Sequence, residues 1–146
     1  MYNTEPSYLQ KAKELATKAH KGQHRWGGEP YITHPEAVAE MVDTFTEKQV
    51  AWLHDVVEDT NVSLKDLTDY GFSETVVEAV DAITKRKGEE EYDEYIERVA
   101  RNDIATEVKI ADITHNLSCG AKGSMGDKYR LAIKYLELRK LVKRAN

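Results

Sequence analysis

The chain has 146 residues, with 21 Lys or Arg against 26 Asp or Glu and a net charge of −5. That length suits a single domain over residues 1–146, in which roughly two-thirds of the unfolded surface leaves water. The acidic balance excludes a nucleic-acid groove as the main business, and no apolar run approaches the ~20 residues of a membrane span. The single cysteine, Cys119, excludes an internal disulfide framework and fits a reducing, cytoplasmic setting.

The charge is unevenly spread. Between Glu36 and Asp81 there are twelve acidic residues against Lys48 and Lys65, whereas residues 122–146 hold eight Lys or Arg against Asp127 and Glu137. Such runs usually mean solvated helix faces. The specific alternative is an acidic half that holds a cation and a basic end that meets an anionic ligand.

In chain order, the first periodic segment is 7–21, with apolar Leu9, Ala12, Leu15, Ala16 and Ala19 at helical spacing and Gly22 as its stop. Residues 25–32 (RWGGEPYI) read as an irregular connector. Thr33 is the expected N-cap of a helix over 35–45, whose first turn tolerates Pro35 because its missing N–H has no helical partner there. Helical periods continue over 47–58, 63–70, 73–85, 91–101, 104–117 and 128–143, punctuated at Asp59-Thr60-Asn61, Gly71, Gly88 and Gly120 to Gly126. No segment alternates as a sheet strand would. The expectation is an all-α bundle of seven or eight short helices.

Within this frame certain polar residues are out of place. His54 and Asp55 interrupt an apolar stretch, Val50-Ala51-Trp52-Leu53 before them and Val56-Val57 after, and a buried charge needs a partner. Asp55, Glu58 and Asp59 fall at i, i+3 and i+4 and so share a helix face. Their mutual repulsion calls for a divalent cation, or for Arg or Lys from elsewhere. Asp112 and Asn116 repeat the i, i+4 spacing in a later apolar segment, and His34 stands at a helix start from which a side chain can turn inward. Two imidazoles with two carboxylates suit Mn, Fe, Co, Ni or Zn better than Mg or Ca, and Glu58 and Asp59 beside them can handle a water molecule. That combination describes a phosphate-ester hydrolase site. His20, His24 and His115 read as structural or surface residues.

Four ordered motifs carry a resemblance: AHKGQHRWGGEPYITHPEAVAEMV (19–42), AWLHDVVEDT (51–60), AITKRKGEEEYDEYIERV (82–99) and VKIADITHNL (108–117). Through them the chain resembles the HD-domain phosphohydrolases, in particular the hydrolase domains of the RelA/SpoT type and the small alarmone hydrolases. The resemblance runs from about Tyr8 to Leu136. It implies an α-helical fold and one metal, usually Mn2+, held by His34, His54, Asp55 and Asp112. It implies that Glu58 and Asp59 orient and deprotonate the attacking water or shuttle its proton. It also implies that Asn116 lies near a ribose and Arg25 against a purine base. The implied reaction removes pyrophosphate from the 3′ position of guanosine tetra- or pentaphosphate, a small-molecule purine nucleotide, with neither nucleic acid nor membrane as partner.

The chain departs from the family's habit at two places. Trp26 follows Arg25 where many relatives have Lys, exchanging a cation for a stacking surface. Ile113-Thr114 stand where Arg-Leu is common. Lys85 closes a helix, where its charge either favours the helix dipole or meets a phosphate. Lys128, Arg130 and Lys134 are either solvated or reach 5′-phosphates. The competing readings are the same site acting on another phosphoester, such as a nucleotide monophosphate or the 2′-phosphate of NADPH, and a non-catalytic nucleotide-binding module.

Overall fold

Apolar residues at helical spacing become helices throughout residues 5–145, the part described in a computed structural model of the chain. Among the described residues there are nine: α1 (Glu5–Ala19), α2 (Thr33–Glu40), α3 (Phe45–Leu53), α4 (Val56–Asp59), α5 (Leu64–Asp69), α6 (Glu74–Ile83), α7 (Tyr92–Ala100), α8 (Asp103–Ser118) and α9 (Gly123–Ala145). The fold is all-α, and one isolated bridge, His24 to Pro30, is the sole extended pairing among these residues.

Short polar residues start most of these helices by accepting the first free N–H groups. Thr44 and Glu47 form a reciprocal capping box at α3, and Ser63 and Asp66 do the same at α5. Ser73 accepts from Val76 N at 3.2 Å to open α6, and Asn102 from Ala105 N at 2.9 Å to open α8. Helices α3 and α8 lie at the centre. The first packs on α1, α2, α6 and α8, the second on α2, α3, α6, α7 and α9. Leu53, Leu67, Ile113 and Leu136 are wholly buried where they meet, with Val38, Val50, Val56 and Val80 filling the space between.

Three boundaries differ from the sequence expectation, each for a local reason. Thr33 is not an N-cap. Its hydroxyl and its N–H both bond to Pro30 O, at 2.7 and 3.1 Å, and His34 N bonds to Tyr31 O at 3.0 Å. These tight turns start α2 early and bring His34 into its first turn, and α2 ends at Glu40 rather than 45. The expected helix over 47–58 is broken at His54-Asp55 into α3 and α4. At the far end the expected helix over 128–143 begins five residues sooner, at Gly123. Gly126 therefore lies inside a helix rather than punctuating a loop, and glycine suits the position because a Cβ there would stand 3.0 Å from Ala121 O.

The expected connector over 25–32 is a tight, fully bonded hairpin. Arg25 N donates to Glu29 O at 2.9 Å, Gly28 N to Arg25 O at 2.9 Å and Tyr31 N to Gln23 O at 2.8 Å. It holds Tyr31 against the starts of α2 and α4 and Arg25 against α8.

Two substitutions separate capping from packing. Thr44→Ala should cost about 1 kcal/mol through the lost cap. Leu136→Ala should cost ~2–5 kcal/mol through the cavity it leaves in the core. Urea denaturation followed by circular dichroism measures both; equal costs would contradict the assignment of Leu136 to the core.

Candidate metal centre

The break between α3 and α4 builds the site. In an unbroken helix Ala51 O would accept from Asp55 N. Here His54 Nδ1 donates to Ala51 O at 2.6 Å, so the imidazole stands in for the missing backbone donor. Asp55 then takes φ −107° and ψ −1° and heads α4. Because Nδ1 keeps its own proton, Nε2 is the nitrogen turned inward to meet a second proton or a cation. That atom is buried and has no hydrogen-bond partner among the described residues, although Asp55 Oδ2 lies 3.0 Å and Asp112 Oδ1 3.4 Å away. Carboxylate oxygens crowding a nitrogen without accepting from it are what a shared cation requires.

His34 enters from the first turn of α2, its Nε2 2.7 Å from Asp112 Oδ1 and 4.0 Å from Asp55 Oδ2. The donor atoms of His34, His54 and Asp112 all lie within 4.8 Å of one another, and together they can hold a metal ion. Asp55 stands at the edge of this trio, its Oδ2 bonded to the Tyr31 hydroxyl. Lys109, one turn before Asp112 on α8, donates to Asp112 Oδ2 at 2.9 Å and leaves Oδ1 for the two histidines.

The titration of these groups reflects their crowding. Burial opposes charge on His54, but the carboxylates of Asp55 and Asp112 prevail and push it well above the ordinary imidazole value. Burial dominates at His34 and pushes it down. Asp55 is held down to about 2 in spite of burial, chiefly by the His54 charge. Asp112 is likewise held well below the carboxylate range, against burial, by Lys109 and then His54. The protein's own groups thus favour net positive charge at this point, and a divalent ion supplies it without a proton.

A cavity of about 290 Å³ opens beside the cluster, walled by His34, Asp55, Asp112, Glu58 and Asp59. Glu58 Oε1 accepts from Lys85 N at 3.0 Å, and Asp59 Oδ1 lies 3.7 Å from Lys87 Nζ. Burial, and then the charge on Asp55, raises the pKa of both carboxyls, so each holds a proton more readily than an ordinary carboxylate. Across the opening Arg25 donates to Asn116 Oδ1 at 2.9 Å and lies 3.4 Å from Glu29, with the exposed Trp26 ring 4.6 Å away.

The structure therefore brings His34, His54, Asp55, Asp112, Glu58, Asp59, Arg25, Trp26 and Asn116 to one place. It does not bring the expected phosphate cations there: Lys134 is absent from the cavity wall, as are three others. Lys85 contributes its backbone N–H, while its ammonium lies 5.9 Å from the Tyr92 ring. Lys128 Nζ lies 4.3 Å from the same Tyr92 ring. Arg130 is exposed and pairs with Asp127 at 3.3 Å. None of the three lines the cavity. Sequence reasoning missed Tyr31, Lys109, Tyr129 and His24, which do. Of these only Lys109 carried a legible signal, its i, i+3 spacing to Asp112.

Glu58 gives a pH-dependent stability prediction. Its native pKa lies above the ordinary 4.5, so the folded state binds the proton more tightly than the unfolded chain. Stability then falls as pH rises from about 4.5 through the native value. Glu58→Gln, whose amide oxygen still accepts from Lys85 N, should raise the Tm of chelator-treated protein at pH 7, and the gain should vanish toward pH 4. A gain that is constant with pH would contradict the electrostatic origin.

The HD domain family matches residues 12–121. Over 144 aligned positions the chain is 33% identical to the bifunctional (p)ppGpp synthase/hydrolase SpoT of Escherichia coli, an alignment covering 89% of this chain and 20% of that one. A guanosine-3′,5′-bis(diphosphate) 3′-pyrophosphohydrolase of Vibrio cholerae is 46% identical over 90 positions, covering 58% of this chain and 13% of the relative. The chain spans a fifth or less of the length of these curated relatives. A solved structure described as a metazoan ortholog of SpoT that hydrolyzes ppGpp superposes with a TM-score of 0.75 at 24% identity, covering 95% of this chain and 87% of that one, and so shares the fold. With 110 of its 146 residues inside the family match, this chain belongs to the HD domain family.

Proposed function

We propose that the chain is a metal-dependent phosphoric ester hydrolase. It removes the 3′-pyrophosphate from guanosine tetra- or pentaphosphate to give GDP or GTP and pyrophosphate, with Mn2+ as its ion. The carrying observation is the buried, unpartnered Nε2 of His54 among carboxylates in the wall of a cavity that also holds Glu58 and Asp59. The names of the relatives supply the substrate class.

His34, His54, Asp55 and Asp112 would hold the ion. When bound, it supplies polarisation of a phosphoryl oxygen and an acidified water. Lys109 keeps Asp112 aimed by taking its outer oxygen, and Tyr31 donates to the Asp55 oxygen that faces the histidines. Glu58, with Oε1 tied to Lys85 N, offers its remaining oxygen to take the proton of the attacking water. Asp59 beside it passes that proton toward the departing 3′-oxygen. Arg25 is stiffened by Asn116 and Glu29 and backed by the indole of Trp26, forming a flat cationic platform for a purine. Arg25 and Lys109 are the cations that face the cavity and meet phosphate in place of Lys85, Lys128 and Arg130.

Incubating the Mn2+-loaded protein with guanosine tetraphosphate should release pyrophosphate and GDP, resolved by phosphorus NMR. Orthophosphate as the only product would transfer the site to another phosphoester. Glu58→Gln and Asp59→Asn should each lower kcat by about 10²–10⁴ while elemental analysis still finds one metal per chain. Undiminished turnover would remove both from the proton path.

A further inference from the structure

The metal reading above leaves His34 with a second nitrogen, and a buried one. Its Nδ1 lies 2.7 Å from Nδ1 of His115, which comes from α8, 81 residues away in the chain. The ring centroids are 5.0 Å apart and the planes are inclined by 26°. That separation is close to the N–N distance plus the radius of each ring. The imidazoles thus meet edge to edge in nearly one plane, as an N–H···N hydrogen bond requires, rather than face to face. On its far side His115 Nε2 lies 3.5 Å from Cys119 Sγ, one turn further along α8.

Two nitrogens of the same kind facing each other can share only one proton, so the chain of atoms admits two arrangements. In the first, His34 Nε2–H donates to Asp112 Oδ1, His115 Nδ1–H donates to His34 Nδ1, and the Cys119 thiol donates to His115 Nε2. In the second, His34 Nδ1–H donates to His115 Nδ1 and His115 Nε2–H points at Cys119 Sγ. Only the second frees the lone pair of His34 Nε2 for a cation. His54 needs no such partner, since Ala51 O already fixes its proton on Nδ1.

We infer that His115 is a positioning residue, which accepts the Nδ1 proton of His34 and so sets the tautomer and ring orientation in which His34 binds the ion. The inference rests on the metal assignment and extends it to a residue outside the ligand set. An outer partner of this kind usually accounts for a 10–100-fold difference in metal affinity. An Asn at 115 can place its side-chain oxygen where the accepting nitrogen stands, whereas Leu cannot accept at all.

The test is an isothermal titration of chelator-stripped native protein, His115→Leu and His115→Asn with Mn2+. Thermal unfolding of each, followed by circular dichroism, accompanies it. His115→Leu should bind Mn2+ about 10–100-fold more weakly, with His115→Asn returned near the native value. Equal affinity in all three would overturn the inference and leave the metal site intact. A native protein that takes up no Mn2+ would instead overturn the metal assignment and this inference with it. Nitrogen-15 NMR of histidine-labelled native protein gives an independent reading if the Leu variant fails to fold. Addition of diamagnetic Zn2+ should leave His34 protonated on Nδ1, and persistence of an Nε2–H signal from His34 would overturn the inference.

Discussion

The architecture turns on one electrostatic constraint: two imidazoles and two carboxylates brought to one point beneath the surface. Left to themselves, the four groups must hold a proton among them, which is why His54 is pushed far up while Asp55 and Asp112 are pushed down. Desolvated charges are tolerated when paired and hydrogen bonded, and each has a hydrogen-bond partner here. Lys109 lies on Asp112, Tyr31 on Asp55, Ala51 O on His54 and His115 on His34. The inner faces of the four remain turned toward one another. Such an arrangement has the donors a divalent ion needs.

Local backbone chemistry makes this convergence possible. A continuous helix through His54 and Asp55 would point their side chains about 100° apart, in keeping with 3.6 residues per turn. Ending α3 on the His54–Ala51 bond lets Asp55 reach the same centre and turns Glu58 and Asp59 toward the cavity mouth. The tight turns ahead of α2 do the corresponding work for His34. The placement of the candidate site's side chains is set at helix ends, where a few backbone hydrogen bonds decide direction, while the helix interiors supply the packed core.

The helical fold was legible because apolar spacing was regular, and His54, Asp55 and Asp112 stood out as polar residues in apolar frames. What stayed hidden shares a physical cause. The break at His54 arises from a side chain replacing a backbone donor, which periodicity does not register. Tyr31 meets Asp55 across 24 residues and His115 meets His34 across 81, and neither contact leaves a local pattern. Gly126 was read as a breaker because glycine usually is one; it lies inside α9 instead, where a Cβ would crowd Ala121 O. The basic C-terminal helix suggests phosphate contacts, yet Lys128 lies against the Tyr92 ring and Arg130 pairs with Asp127.

The central claim is that His34, His54, Asp55 and Asp112 share one divalent ion. Anomalous diffraction from crystals grown with Mn2+ tests it most directly. The account predicts a single strong peak about 2 Å from Nε2 of both histidines and from an oxygen of both aspartates. A Mn2+ peak at any other place on the protein, with none at this point, would contradict it.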